Sequence, residues 1–129
     1  KHVLRHMTEQ GLEGDVVKIG SIAGLVGYGR SASYCASKGG IVELTREIAL
    51  DYGGKGINVN AVDPGVIKTD MTEEMREDPE TRGFMEQNTV APRLGRPEDT
   101  ASAVAFLASE QSDFIMGENL VVDGGWVAK

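Results

Sequence analysis

The spacing of apolar and polar positions changes period several times along the chain. Val3, Leu4 and Met7 recur at helical spacing within residues 1–10, and Gly11 stops the run. A turn at Glu13-Gly14-Asp15 leads into Val16-Val17-Lys18-Ile19, a β-branched run of strand length in which Lys18 stands where an apolar residue is expected. Residues 20–33 hold four glycines and three serines without periodicity, which predicts a loop at the carboxyl end of that strand. From Tyr34 the period becomes three to four. Ile41, Leu44, Ile48 and Tyr52 form a row flanked by Thr45 and Ala49, and Gly53-Gly54 ends this longest helix.

Strict alternation over Ile57-Asn58-Val59-Asn60-Ala61-Val62 predicts a second strand, halted at Asp63-Pro64-Gly65. A helix between two strands suits a right-handed βαβ unit. Residues 72–90 are charged, bear methionines, and are broken at Pro79 and Gly83. They predict one or two short mobile helices with little part in the core. Arg96-Pro97-Glu98-Asp99 places proline and acids in a helix first turn, and Ala101, Val104, Ala105, Phe106 and Leu107 offer its buried stripe. Asn119-Leu120-Val121-Val122 is a third strand, closed by Asp123-Gly124-Gly125. The order α, β, α, β, α, β points to an α/β fold with parallel strands.

Composition narrows the function. The chain has 129 residues with 40% hydrophobic and 26% charged positions, which is globular usage. Twenty Asp and Glu against 13 Lys and Arg give a formal charge of -7. With no basic cluster, a nucleic-acid partner is not expected. Cys35 is the single cysteine and there are two histidines, so neither a disulfide nor a tetrahedral metal site is expected, and a reducing, cytoplasmic setting fits. His2 and His6 are an i, i+4 pair at a chain end, a weak ligand signal. No apolar run approaches the roughly 18 residues that span a bilayer, so no membrane role is expected.

The chemistry lies at the head of the long helix. Tyr34 and Lys38 are four apart and share a helix face. A phenol, with an ordinary pKa of about 10, becomes a useful acid/base near neutrality when an ammonium stabilises its phenolate. Alone the pair is an ordinary surface spacing, but Ser21 precedes it just after a strand, where its hydroxyl could share a substrate oxygen with Tyr34. Ser33 and Ser37 read as helix-start hydroxyls and Cys35 as packing. Met71, Met75 and Met85 either line an adaptable pocket or bury the 72–90 segment.

Gly20-Ser21-Ile22-Ala23-Gly24 followed by Tyr34-Cys35-Ala36-Ser37-Lys38-Gly39-Gly40 resembles the Ser and Tyr-x-x-x-Lys active site of the short-chain dehydrogenase/reductase family. Residues 57–71, 93–99 and 117–125 are similar to that family's later motifs, in order and spacing. The last of these favours the shorter family over the related epimerases and dehydratases. The resemblance implies a Rossmann-like, doubly wound parallel sheet in an αβα arrangement, of which three strands with flanking helices belong to this chain. It implies Tyr34 as general acid/base, Ser21 holding the substrate oxygen, and Lys38 favouring the Tyr34 phenolate and bonding the nicotinamide ribose. Pro64 and Gly65 would shape the turn under the nicotinamide, with Ile67 offering backbone groups and Thr69 its hydroxyl. NAD or NADP is the implied cofactor, a small carbonyl or secondary alcohol the implied substrate, and residues 72–90 the substrate lid.

The family's Gly-rich dinucleotide fingerprint, its Asn-Asn-Ala-Gly segment and its catalytic Asn have no counterpart here, and the chain opens on Lys1 inside a helix pattern. The expectation is therefore that residues 1–129 are the C-terminal catalytic half, with the cofactor-binding half absent. The glycines of residues 20–29 are read as active-site loop flexibility. A dimer or tetramer is implied for the intact enzyme. The alternative is a catalytically incompetent fragment that acts only through its oligomerising surfaces.

Overall fold

The three apolar runs become three strands, β1 (Gly14–Ile19), β2 (Ile57–Pro64) and β3 (Asn119–Val122), in a computed structural model that describes all 129 residues. They form one parallel sheet in the order β1-β2-β3, with Gly14 opposite Ile57 and Ala61 opposite Asn119. The α/β, parallel architecture expected from the element order is present. Five α-helices accompany the sheet: α1 (His2–Gln10), α2 (Ala32–Tyr52), α3 (Glu73–Glu77), α4 (Pro79–Asn88) and α5 (Pro97–Leu107).

Alternation along β2 assigns each residue to a layer. Ile57 and Val59 are fully buried against Leu4 of α1 and Ala49 of α2, with Met7, Val16, Ile48 and Tyr52 packed around them. Asn58 and Asn60, of opposite parity, turn to the other face and bond the carbonyls of Ser112 and Ile115 beyond α5. Helices thus flank both faces of the sheet. The strand predicted from strict alternation is present, and residues 57–63 are all buried, the two asparagines being satisfied polar members of the interior.

Two helical stripes differ from the periodic reading. On α2 the buried face is Val42, Thr45 and Ala49, while Leu44 is 50% exposed. Thr45 belongs inside because its hydroxyl donates to the Ile41 carbonyl at 2.7 Å, leaving its methyl to pack. On α5 only Leu107 is buried, and Ala101, Ala105 and Phe106 face outward. Lys18 finds an account: its stem lies in the partly buried layer under α2, its Nζ donates to the Ile41 carbonyl at 3.3 Å, and burial pushes its pKa below the ordinary value.

The 72–90 segment folds as two helices, as expected, but it is tied to the core. Asp78 caps α4 by accepting the Thr81 N–H at 2.7 Å, with Pro79 in the first turn, and Met85 is only 1% exposed. Phe84 meets the Trp126 ring edge-on at 5.8 Å, and Trp126 in turn lies 6.3 Å from the Tyr28 ring.

Candidate active site

At the carboxyl ends of the strands the chain opens into a cleft of about 490 Å³. Ser21, Tyr34, Lys38, Pro64, Gly65, Ile67 and Thr69 all line it, so the structure brings together the residues that the sequence offered as catalytic or cofactor-contacting. A second cavity of about 270 Å³ shares Ser21, Tyr34 and Gly65 with the cleft and continues between Ile22, Ala23, Val66, Met75 and Met85. Of the three methionines, Met71 and Met75 border open space, whereas Met85 both lines this cavity and is buried.

Ser21 leaves β1 in an extended conformation, φ -173° and ψ 152°, and starts a single 3-10 turn over Ile22–Gly24. Its Oγ accepts the Ala23 N–H at 3.2 Å. With that lone pair used, the hydroxyl proton is left to donate into the cleft. The turn rests on α2 with no room to spare: a Cβ at Gly24 would stand 2.7 Å from the Lys38 carbonyl. Gly24 is required by close approach, which corrects the reading of this glycine as a source of flexibility. The turn itself carries no periodic signal and was not visible in the sequence.

Helix α2 begins at Ala32, two residues before the predicted start. Tyr34 and Lys38 therefore sit in its first two turns, with Lys38 Nζ 5.7 Å from the Tyr34 ring centroid and donating to the Ile19 carbonyl at 3.1 Å. Tyr34 is 43% exposed toward the cleft and Ser21 is buried beside it. Ser33 and Ser37 make no hydroxyl hydrogen bond at the helix start, and Ser31 occupies the N-cap position.

Across the cleft, β2 ends at Pro64, and the Gly65 N–H donates to the Val122 carbonyl at 3.0 Å. Residues 66–68 run beside Gly95 through Gly95 N–H to Val66 O, 3.0 Å, and Lys68 N–H to Gly95 O, 2.9 Å. This pairing turns the Ile67 peptide groups the other way, and its carbonyl accepts the Thr72 hydroxyl at 2.7 Å. Thr72 Oγ1 also accepts the Thr69 N–H at 3.2 Å, so the start of the 72–90 segment is fastened to the cleft wall. Thr100 on α5 lines the same wall with a buried hydroxyl oxygen that has no partner within the chain. Only the fold could reveal this residue, since a threonine inside a helix pattern carries no signal. The donor set of Ser21, Tyr34, Lys38, Thr69 and Thr100 suits a ligand rich in hydroxyl, amide and phosphate oxygens, and thus fits a nicotinamide nucleotide. No three His, Cys, Asp or Glu residues come together as metal ligands, and no helix is long and apolar enough to cross a membrane.

Comparison with known proteins gives the same picture. The family model described as enoyl-(acyl carrier protein) reductase matches residues 1–127. The chain is 44% identical over 128 residues to cis-4-hydroxycyclohexanecarboxylate dehydrogenase of Sinomonas cyclohexanicum, covering 99% of this chain and 50% of that one. It is 43% identical over 112 residues to 3-oxoacyl-[acyl-carrier-protein] reductase of Rickettsia felis, covering 87% and 46%. Among solved structures, 4-hydroxyisoleucine dehydrogenase complexed with NADH superposes with a TM-score of 0.95 at 36% identity, over 99% of this chain and 53% of that one. An Agrobacterium tumefaciens structure with bound NADP superposes with a TM-score of 0.94 at 40% identity, over 97% and 51%. The chain spans about half the length of the curated relatives it matches.

Proposed function

We propose, from the premise that the chain belongs to the short-chain dehydrogenase/reductase family, that it carries the catalytic half of an NAD(P)-dependent oxidoreductase acting on a carbonyl or secondary alcohol. The observation that carries this reading is the convergence of Ser21, Tyr34 and Lys38 on one cleft whose opposite wall is the Pro64–Thr69 segment. In this reading residues 1–129 supply the catalytic groups and the nicotinamide end of the cofactor site. The adenosine end falls to sequence outside them.

A bound nicotinamide supplies or accepts the hydride. The chain's own residues manage the proton. In the reducing direction the Tyr34 hydroxyl gives its proton to the substrate oxygen as negative charge develops there, and in the oxidising direction the phenolate takes it back. Ser21 donates to the same oxygen, and its acceptor side is occupied by the Ala23 N–H, which orients that donation. Lys38 places a cation beside the Tyr34 ring and would bond the ribose hydroxyls. Ile67 backbone groups and the Thr69 and Thr100 hydroxyls would hold the carboxamide and phosphates. The cavity between Ile22, Val66, Met75 and Met85 would receive the substrate's apolar part.

The test is Tyr34→Phe in the full-length protein that carries this chain, assayed with a panel of cyclic and linear secondary alcohols and NAD or NADP. Turnover is expected to fall by about 10² to 10⁴, with NADH binding measured by fluorescence titration essentially unchanged. Retained turnover removes Tyr34 from the acid/base role.

A further inference from the structure

Asp63, the last buried residue of β2, takes no part in the proton and hydride chemistry, yet it is 0% exposed. Its Oδ1 accepts the Ser21 backbone N–H at 2.9 Å, and its Oδ2 is buried without a partner. A half-satisfied buried carboxyl is an expensive choice for an acceptor. Burial pushes its pKa above the usual carboxylate range, against the opposing pull of the Ser21 N–H and of Lys38, while Glu118 adds to the rise. Nothing in the packing of β2 asks for an acid there, since Ile57, Val59 and Ala61 fill the same face.

A second residue is adapted to it. Gly20 follows Ile19, which pairs with Val62, so Gly20 lies level with Asp63 on the neighbouring strand. A Cβ at Gly20 would stand 1.7 Å from Asp63 Oδ1, so the carboxylate could not stay where it is. The carboxylate therefore occupies the space a side chain at position 20 would need, and reaches the Ser21 N–H only because that side chain is missing.

We propose that Asp63 is a positioning residue for Ser21: its Oδ1 fixes the Ser21 N–H at the exit of β1 so that the serine hydroxyl is aimed at the substrate oxygen. The proposal rests on the Ser21 and Tyr34 reading above. Ser21 is then held at two points, its N–H by Asp63 and its Oγ by the Ala23 N–H, and the one freedom left to it is the direction of its proton. Were Asp63 removed, a buried N–H would lack its acceptor and the extended turn would relax toward another partner, carrying Oγ with it. A misplacement of about 1 Å at a reacting group costs up to about a hundredfold in rate.

The test is a double-mutant cycle in the full-length protein, read as kcat and KM for a secondary alcohol with NAD or NADP. Asp63→Ala is expected to lower kcat about ten- to a hundredfold with KM changed by less than about threefold. Asp63→Asn, which keeps an oxygen on the Ser21 N–H, restores most of the rate. In a Ser21→Ala background, Asp63→Ala costs less than about threefold more, because the group it positions is already gone. Should Asp63→Ala fold poorly, Gly20→Ala/Asp63→Ala places a methyl in the vacated space and is expected to fold with the same loss of kcat. Equal losses from Asp63→Ala in both backgrounds, or full kcat in Gly20→Ala/Asp63→Ala, overturn the role of Asp63 and leave Ser21 and Tyr34 in place. Wild-type kcat in Ser21→Ala overturns both.

Discussion

Asn60 offers the sharpest test of how the interior is assembled. It is 1% exposed in the centre of β2. Its Nδ2 donates to the Ile115 carbonyl at 2.7 Å and its Oδ1 accepts the Glu118 N–H at 2.9 Å, so one amide grips both ends of the turn that delivers β3. The neighbouring backbone bonds, Gly117 N–H to Val59 O and Ala61 N–H to Glu118 O, both 2.8 Å, fix the same turn from either side. Asn60→Ala leaves a carbonyl and an N–H without partners in a site that is only partly open to water. At about 1–3 kcal/mol for each orphaned group, and with some relief from solvent, the expected destabilisation is about 2–4 kcal/mol. With a urea slope of about 1–3 kcal/mol/M, the unfolding midpoint of the full-length protein followed by circular dichroism should drop by about 1–2 M. Asn58 donates to the Ser112 carbonyl at 3.3 Å and accepts from the Asn60 amide at 3.4 Å, both long bonds, so Asn58→Ala should cost clearly less. An unmoved midpoint for Asn60→Ala, or an equal loss for Asn58→Ala, would show that β3 is held by its strand pairing alone.

Gly24→Ala should press a methyl against the Lys38 carbonyl and push the Ile22–Gly24 turn off α2, costing about 1–3 kcal/mol and lowering kcat through Ser21; an unchanged melting temperature and kcat would refute the close approach. Asp99 accepts two bonds from Arg93, at 2.7 and 2.8 Å, and the Arg96 N–H at 2.7 Å, and these partners hold its carboxyl well below the ordinary range. A depressed pKa contributes stability above the ordinary carboxylate range that is lost as pH falls toward the depressed value. Asp99→Asn should therefore speed amide hydrogen exchange in the first turn of α5 at neutral pH, and the difference from wild type should close only in strong acid. A difference already gone at mildly acidic pH would count against the ion pair.

The element order and the membership of the cleft were legible because they rest on features a sequence states directly: β-branched runs, glycine stops, and a Tyr-x-x-x-Lys spacing preceded by a serine. What escaped depends on contacts between distant segments. Thr45 reads as polar until its hydroxyl is seen to bond its own helix, and this shifts the buried face of α2 away from Leu44. The burial of Asn58 and Asn60 could not be read from the strand pattern because their acceptors lie more than 50 residues away. Met85 joins the core only because α4 is laid across the apolar cavity. Asp63 sits before Pro-Gly, where an acid looks like ordinary turn chemistry, and its partner Ser21 is 42 positions earlier. Thr100 is one of several small residues on an outward-facing helix, and only the cleft singles out its hydroxyl.

The shared space at Gly20 and Asp63 also constrains how this sequence could have arisen and where it can go. A side chain at position 20 and a carboxylate at position 63 exclude each other. Against a Cβ at position 20, an aspartate at position 63 would have to turn its carboxylate away from the Ser21 N–H. With the aspartate in place, a side chain returning at position 20 would displace the carboxylate from that N–H. The two positions thus behave as a latch, and a sequence that carries a side chain at the first position must satisfy the N–H of the following residue by some other means.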